Sequence, residues 1–347
     1  MPSSSASDDD HQLEEITYHP AWQSFYSKWW GTKEFESVVQ GERNNTGKLP
    51  ILEIQEKLVL ACFCLLNLTS GLLAVREEYR YMYGRLERAS THRAQESDGI
   101  NGVVLSGQPG IGKSTFLVYA LLKRMSSQLP TMFVSCDSSL FLIDERGIFT
   151  KTLVKSTLPD MPNLDRSLWI LVDSSQLTPS PLLSPFTFTI FAGTPSLECY
   201  EMWRQDVRVP RWIMQTCSPH ELHDSLLIQA HIASRVPIDV EEIIKYSGPI
   251  PRDAFNSIAR IPDISAYINR AIMQIRSVQD IAEVLHSARK NPDEFSHPLF
   301  MIERSGEAST QMEDDPFTFD FRSNYIRSVV SKRIRADIDW IAKEVGY

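Results

Sequence analysis

The sequence predicts a three-layer α/β fold on a parallel sheet, preceded by a helical N-terminal segment and followed by a mostly helical C-terminal lid. Two observations predict it. Short apolar runs alternate with helical patterns between residues 99 and 235, as in successive βα units. A glycine-rich turn, Gly107–Ser114, then joins the first of those runs to the clearest helix. At 347 residues the chain suits about two domains and a large core without covalent staples.

The candidate strands are Gly102–Ser106, Thr131–Ser135, Leu168–Asp173, Phe186–Ala192 and Trp212–Gln215. These are short, mostly apolar runs, with helices between them. The helix over Lys113–Met125 follows the glycine-rich turn. Another starts at Ser218-Pro219-His220-Glu221, where Ser at the N-cap, Pro at the first helical position and Glu three residues past the cap form a capping box.

Around this core, residues 1–12 read as a disordered acidic tail, 13–98 as a mostly helical region, 99–235 as the core and 236–347 as the lid. The aromatics Tyr18, Trp22, Phe25, Tyr26, Trp29 and Trp30 read as packing groups. Ile51 to Ala89 reads as two helices broken near Ser70-Gly71, and residues 90–99 as a polar linker. Past Phe255 the pattern is helical, with β-like pieces at His297–Ile302 and Phe317–Phe321.

Leu58–Val75 runs 18 residues without a charge, which as a helix would span about 27 Å. Asn67, Thr69 and Ser70 within it, and Glu53 and Glu56 before it, favour burial against the core over a membrane span. The polar, acidic start resembles neither a secretory signal nor a transit peptide. Five cysteines (Cys62, Cys64, Cys136, Cys199, Cys217) contain no CxxC pair, which excludes a disulfide framework or zinc ribbon and fits a reducing compartment. An intracellular chain, cytoplasmic or nuclear and not membrane-bound, is therefore expected. The net charge of −9, from 35 Lys and Arg against 44 Asp and Glu, argues against a generic nucleic-acid binder.

Gly107-Gln108-Pro109-Gly110-Ile111-Gly112-Lys113-Ser114 matches GxxxxGK[ST] without a mismatch, between a predicted strand and a predicted helix. Glycines let the loop turn tightly and aim backbone amides at phosphate oxygens, and the positive end of the helix adds to the attraction. Lys113 can reach the β- and γ-phosphates, and the Ser114 hydroxyl can join a Mg²⁺ shell. The expected nucleotide contacts are the loop residues Gly107 to Ser114 together with Thr115. Asp173, after five apolar residues, is the expected metal-associated acid, sharing Mg²⁺ with Ser114. Many ATPases of this kind place Glu next; here Ser174 follows, and a serine is a poor general base near neutral pH. Asp144 and Glu145, after the second strand, are the acids that could substitute.

Two further elements fit an AAA+-like layout. The fourth strand ends in Phe191-Ala192-Gly193-Thr194, placing Thr194 as a sensor beside the γ-phosphate. Ser247-Gly248-Pro249-Ile250-Pro251-Arg252 is a turn before a helix. Arg252 opposes the dipole of that helix, so its charge needs another partner, and a phosphate suits its forked donors. Arg204, Arg208 and Arg211 read as solvated surface charges.

These segments resemble a known group. GQPGIGKST, FLIDERGIF at Phe141–Phe149, LWILVDSS at Leu168–Ser175, VPRWIMQTCSPHEL at Val209–Leu222 and GPIPR at Gly248–Arg252 occur in this order. They resemble the P-loop NTPase module of Crinkler-type and retrotransposon hot spot proteins, especially fungal ones. The lead-in Val75-Arg76-Glu77-Glu78-Tyr79 and the distal SHPLFMI and FTFDFRSNYI extend the likeness over residues 70–335. The resemblance implies an AAA+-related regulatory module using ATP and Mg²⁺, in which Lys113 and Ser114 bind phosphate and metal, Asp173 is the acid and Arg252 the Pro-Arg sensor.

The same family often joins this module to a restriction-type nuclease. Pro292-Asp293-Glu294 lacks the paired acid–x–Lys such a nuclease needs, so a nuclease partner is expected on a separate chain, alongside other protein partners or self-association. The function expected is a nucleotide-controlled switch with slow or no hydrolysis. The alternatives are an active ATPase remodelling a protein or nucleic acid, a kinase (disfavoured by the lid and the Pro-Arg sensor) and a scaffold that binds no nucleotide.

Overall fold

A computed structural model describes residues 13–41, 49–63, 71–95, 99–137, 139–152, 167–173, 187–192, 209–233, 239–257, 261–290, 297–306 and 313–345. The first part holds β1 (Glu14–Glu15), α1 (Pro20–Trp29), α2 (Glu34–Gly41), β2 (Ile51–Glu53), α3 (Lys57–Cys62), β3 (Leu72–Ala74) and α4 (Glu77–Gln95). Next come β4 (Gly102–Ser106), α5 (Lys113–Ser126), β5 (Thr131–Val134), β6 (Ser139–Asp144), β7 (Gly147–Thr152), β8 (Trp169–Val172), β9 (Phe188–Phe191), β10 (Arg211–Ile213) and α6 (Pro219–Ala233). The last part holds α7 (Val240–Ser247), α8 (Pro251–Ser257), α9 (Ile261–Gln274), α10 (Val278–Lys290), the hairpin β11 (Phe300–Arg304) and β12 (Phe317–Phe321), and α11 (Asn324–Val345).

The main sheet has the order β1-β7-β6-β5-β8-β9-β4-β10. The five strands from β5 to β10 are parallel neighbours, while β6, β7 and β1 extend the sheet antiparallel. Side chains alternate between faces, as the pleat requires. Trp169 and Leu171 of β8 enter one core and Ile170 and Val172 the other, and Val103 and Leu105 oppose Val104 in the same way. The first core takes in the buried faces of α1, α4 and α5. To the second, no helix among the described residues contributes, so these residues show two of the three layers expected.

The N-terminal aromatics pack as read except Tyr18, which is exposed; Tyr26 and Trp30 lie partly buried against the core. Trp22, Phe25 and Trp29 are buried, Trp22 lies 5.2 Å from Phe141, and Phe63 lies 4.8 Å from Phe133. Other expectations are corrected. Ile51–Ala89 holds a helix on each side of the expected break, α3 and α4, but also a strand pair that was not expected: β2 and β3 pair antiparallel with Leu52 opposite Leu73, both buried, and among the described residues the helix inside the apolar run spans Lys57–Cys62. Val59, Leu60 and Phe63 bury against the core, and no helix among the described residues is long and apolar enough to cross a membrane. The linker read at residues 90–99 is helical as far as Gln95, where Arg93 bonds the Asn101 side chain and Ser90 accepts the Trp169 indole N–H. Residues 96–98, the acidic tail at 1–12 and the break at Ser70 lie outside the described residues.

The capping box is formed: the Ser218 amide donates to Glu221 Oε2 at 2.9 Å and the Glu221 amide to Ser218 Oγ at 3.2 Å. The C-terminal hairpin is also present at the two β-like pieces. Its far end covers the open edge of β10, an exposed row of backbone groups that proteins commonly blunt with charge. Asp314 Oδ1 accepts from the Arg211 amide and Asp315 Oδ2 from the Ile213 amide, while the Asp315 amide donates back to the Arg211 carbonyl. Arg85 grips both Asp315 oxygens at 2.6 and 2.7 Å and lies 3.9 Å over the Trp212 ring.

Candidate functional site

Parallel strands deliver their C-terminal ends to one edge of the sheet, and the loops at that edge form the natural ligand crevice of such folds. Here β4 runs into Gly107 and β8 into Asp173. The Asp173 amide donates to the Val134 carbonyl at 2.7 Å and the Met214 amide to the Ser106 carbonyl at 3.0 Å, which aligns the ends of β5, β8, β4 and β10.

Gly107, Gly110 and Gly112 have φ of +124°, +89° and +97°. At all three the neighbours also leave no room for a side chain: a Cβ on Gly107 would lie 2.8 Å from the Met214 carbonyl oxygen. A Cβ on Gly112 would lie 2.4 Å from the Tyr79 hydroxyl, and one on Gly110 would lie 2.8 Å from Arg252 Cβ. Gly112 is the N-cap of α5 and supplies no side-chain cap, so the first-turn amides are left to a ligand.

The carbonyls of the loop are held from behind. Arg76 donates to the Ile111 carbonyl at 2.7 Å and to the Gln215 carbonyl at 2.9 Å, and the Tyr79 hydroxyl donates to the Gly112 carbonyl at 3.2 Å. Tyr79 also bonds Thr115, and burial pushes its phenol up to about 12, so it remains a donor. Both braces come from the lead-in segment, to which sequence reading assigned no role. No spacing rule links residues 35 positions apart.

Lys113 Nζ donates to the Gly107 carbonyl at 2.9 Å, which holds the ammonium across the loop. Ser114 Oγ donates to Asp173 Oδ1 at 3.0 Å. Asp173 is 7% exposed, and burial raises its carboxyl above the ordinary value against the Ser114 hydrogen bond and the Lys113 charge. A hydroxyl and a desolvated carboxylate are the hard oxygen donors Mg²⁺ takes alongside phosphate oxygens, so these two residues fit that ion. Among the described residues no group of three or more His, Cys, Asp or Glu is arranged to hold a metal by itself.

Arg252 does meet the loop. It lies in the first turn of α8, its amide donates to the Gly110 carbonyl at 3.2 Å, and its side chain is 52% exposed. Pro109 is partly exposed in the loop, whereas Gln108 is fully buried and turned away. Gln108 Oε1 accepts from the Ile302 amide at 3.2 Å, so its side chain joins the C-terminal hairpin rather than a phosphate. Thr194, Ser174, Arg204 and Arg208 lie outside the described residues. Arg211 is on the edge strand β10, covered by the Asp314 contact.

Asp144 and Glu145 are excluded as substitutes by topology. β6 runs antiparallel to β5 with Ile143 opposite Thr131, so Asp144 emerges at the sheet edge opposite Asp173. There it pairs with Arg146 at 2.5 Å, in the turn of the β6–β7 hairpin. The carboxylate that does emerge beside the Asp173 strand is Asp137. Its Oδ1 accepts from Ser135 Oγ and the Ser139 amide; burial opposes ionisation, but these bonds outweigh it and hold the carboxyl below its ordinary value. Nearby, Cys136 is disulfide-bonded, whereas Cys62 and Cys217 are free thiols, so the expectation of reduced cysteines is corrected at Cys136.

Comparison with known proteins identifies no family. The chain matches no protein-family model and no curated protein. Among solved structures it is similar to a mutant RuvB from Thermotoga maritima at 17% identity and a TM-score of 0.32, over 54% of this chain and 63% of the RuvB chain. The match thus spans less than two thirds of that protein.

Proposed function

We propose that the chain binds a nucleoside triphosphate, ATP foremost, with Mg²⁺ at the Gly107–Thr115 loop, and works as a nucleotide-controlled AAA+-like switch with slow hydrolysis. The observation that carries this reading is the bond from Ser114 to Asp173, which brings the loop's hydroxyl and a buried carboxylate together beside the helix N-terminus. Lys113 would meet the terminal phosphates, and Arg252, docked on Gly110, would meet the γ-phosphate. Ser114 and Asp173 would hold Mg²⁺, which would supply neutralisation of phosphate charge.

An AAA+-like layout is supported by β9, which separates the loop strand β4 from the Asp173 strand β8 and leads towards Thr194. Slow turnover follows from Ser174 in the usual glutamate position and from Asp144 and Glu145 facing the opposite edge. A partner chain bearing a nuclease belongs to the same proposal, on the resemblance to Crinkler and retrotransposon hot spot proteins.

The test is steady-state hydrolysis. Loss of the orienting carboxylate slows such a step by about 10²–10⁴, so Ser174→Glu should turn over faster than the parent. A parent rate of several per second, on the order of an ordinary enzyme, would overturn the switch reading.

A further inference from the structure

Asp253 lies between two guanidinium groups. Its Oδ2 accepts from Arg322 Nη1 at 2.6 Å, whereas its Oδ1 stands 3.6 Å from Arg252 Nε, beyond hydrogen-bond length. Arg322 is 8% exposed and anchored by two more bonds, from its amide to the Leu299 carbonyl at 2.9 Å and from Nε to the Phe300 carbonyl at 3.4 Å. Releasing Asp253 would leave a buried cation unpaired, which is costly. Arg252 is half-exposed, sits against Gly110 and has no comparable anchor on its guanidinium among the bonds described.

We propose that Arg322 is a positioning residue for triphosphate recognition: by holding Asp253, it keeps the adjacent Arg252 from being neutralised and leaves that charge for the γ-phosphate. The proposal rests on the reading of Arg252 given above. One carboxylate faces two cations here. Arg322, fixed by the C-terminal hairpin, takes it, and the hairpin is itself bonded to the loop through Ile302 and Gln108. Without Arg322, Asp253 can swing to its sequence neighbour and form the forked pair that Arg and carboxylate favour. Arg252 would then offer less charge to a third phosphate, while contacts to the first two phosphates would not change.

The experiment is titration of the full-length chain with Mg²⁺-ATP and Mg²⁺-ADP, with melting temperatures as a check of folding. Arg322→Gln should lose about tenfold in ATP affinity, the scale of one charge-assisted contact. ADP affinity should stay within about twofold. Adding Asp253→Asn to Arg322→Gln should restore ATP affinity, because the competing carboxylate is then gone; a purely structural role would not be rescued this way. Equal loss for ATP and ADP, or no rescue, overturns the proposal. If Arg322→Gln does not fold, Asp253→Asn alone decides: ATP affinity at or above the parent value supports the proposal, and a selective loss of ATP overturns it. A parent chain that binds neither nucleotide fails at the loop itself, and that outcome removes the proposed function and this inference together.

Discussion

Ser114 Oγ and Asp173 Oδ1 meet at 3.0 Å although their elements are not adjacent in the sheet: β4, which leads into α5, and β8, which leads to Asp173, are separated by β9. The helix carries Ser114 across that gap. Asp173→Asn should therefore leave the fold intact and remove most of the Mg²⁺ dependence of nucleotide binding, read by titration with and without the metal. Unchanged Mg²⁺ dependence would place the ion elsewhere.

The same carboxylate sets a pH dependence. Burial raises its folded-state pKa, so the folded, metal-free chain holds this proton more tightly than the unfolded chain and gains stability as pH falls through that value. Mg²⁺ requires the ionised form and acts in the opposite direction. Metal-dependent stabilisation should thus fade at a pH above the ordinary aspartate range, and melting scans with and without Mg²⁺ should show it. Fading only within the ordinary range would contradict the burial of Asp173.

The braces behind the loop make a graded prediction. Tyr79→Phe removes the hydroxyl's bonds to the Gly112 carbonyl and to Thr115, each worth about 0.5–1.5 kcal/mol, and should bring a few-fold loss of nucleotide affinity. Arg76 is buried, bonds two carbonyls and lies 3.9 Å from Glu221, so Arg76→Met should cost more, about 3–5 kcal/mol, by leaving buried acceptors unpaired. Denaturant unfolding orders the two. Equal costs would mean that the Ile111 carbonyl does not depend on Arg76.

Asp315 anchors the C-terminal hairpin to the sheet edge with its side chain fully buried against Arg85. Asp315→Ala should destabilise the chain by about 3–5 kcal/mol, because it strands the guanidinium. An effect under about 0.5 kcal/mol, typical of surface sites, would show that the hairpin does not hold this edge.

Turnover should be indifferent to the acids of the β6–β7 turn. Asp144→Asn and Glu145→Gln should hydrolyse ATP at the parent rate, since both residues stand at the opposite end of the strands. Collapse of the rate in either variant would contradict the register of β5 with β6.

Where local chemistry decides structure, the sequence was readable. The apolar runs of β4, β5, β8 and β9, the glycine-rich loop, the Ser218–Glu221 capping box and the paired pieces of the last hairpin each carry a signature within a few residues. The β6–β7 hairpin was missed because its mixed residues and the turn Asp144–Gly147 read as a charged loop, and β2–β3 because three-residue strands have no measurable period. The site's supports were the least legible. Arg85 with Asp315, Gln108 with Ile302 and Arg322 with Asp253 pair across tens to hundreds of positions, and only the folded topology brings them together.

The most direct measurement is the melting temperature of the parent and of Lys113→Ala, each with and without Mg²⁺-ATP. A ligand at a hundredfold excess over its Kd stabilises the folded state by about 2.7 kcal/mol. The account predicts that shift in the parent and its near loss in Lys113→Ala, each compared with its own nucleotide-free state. A parent that does not shift, or a variant that shifts as much as the parent, would contradict the assignment of the Gly107–Thr115 loop as the nucleotide site.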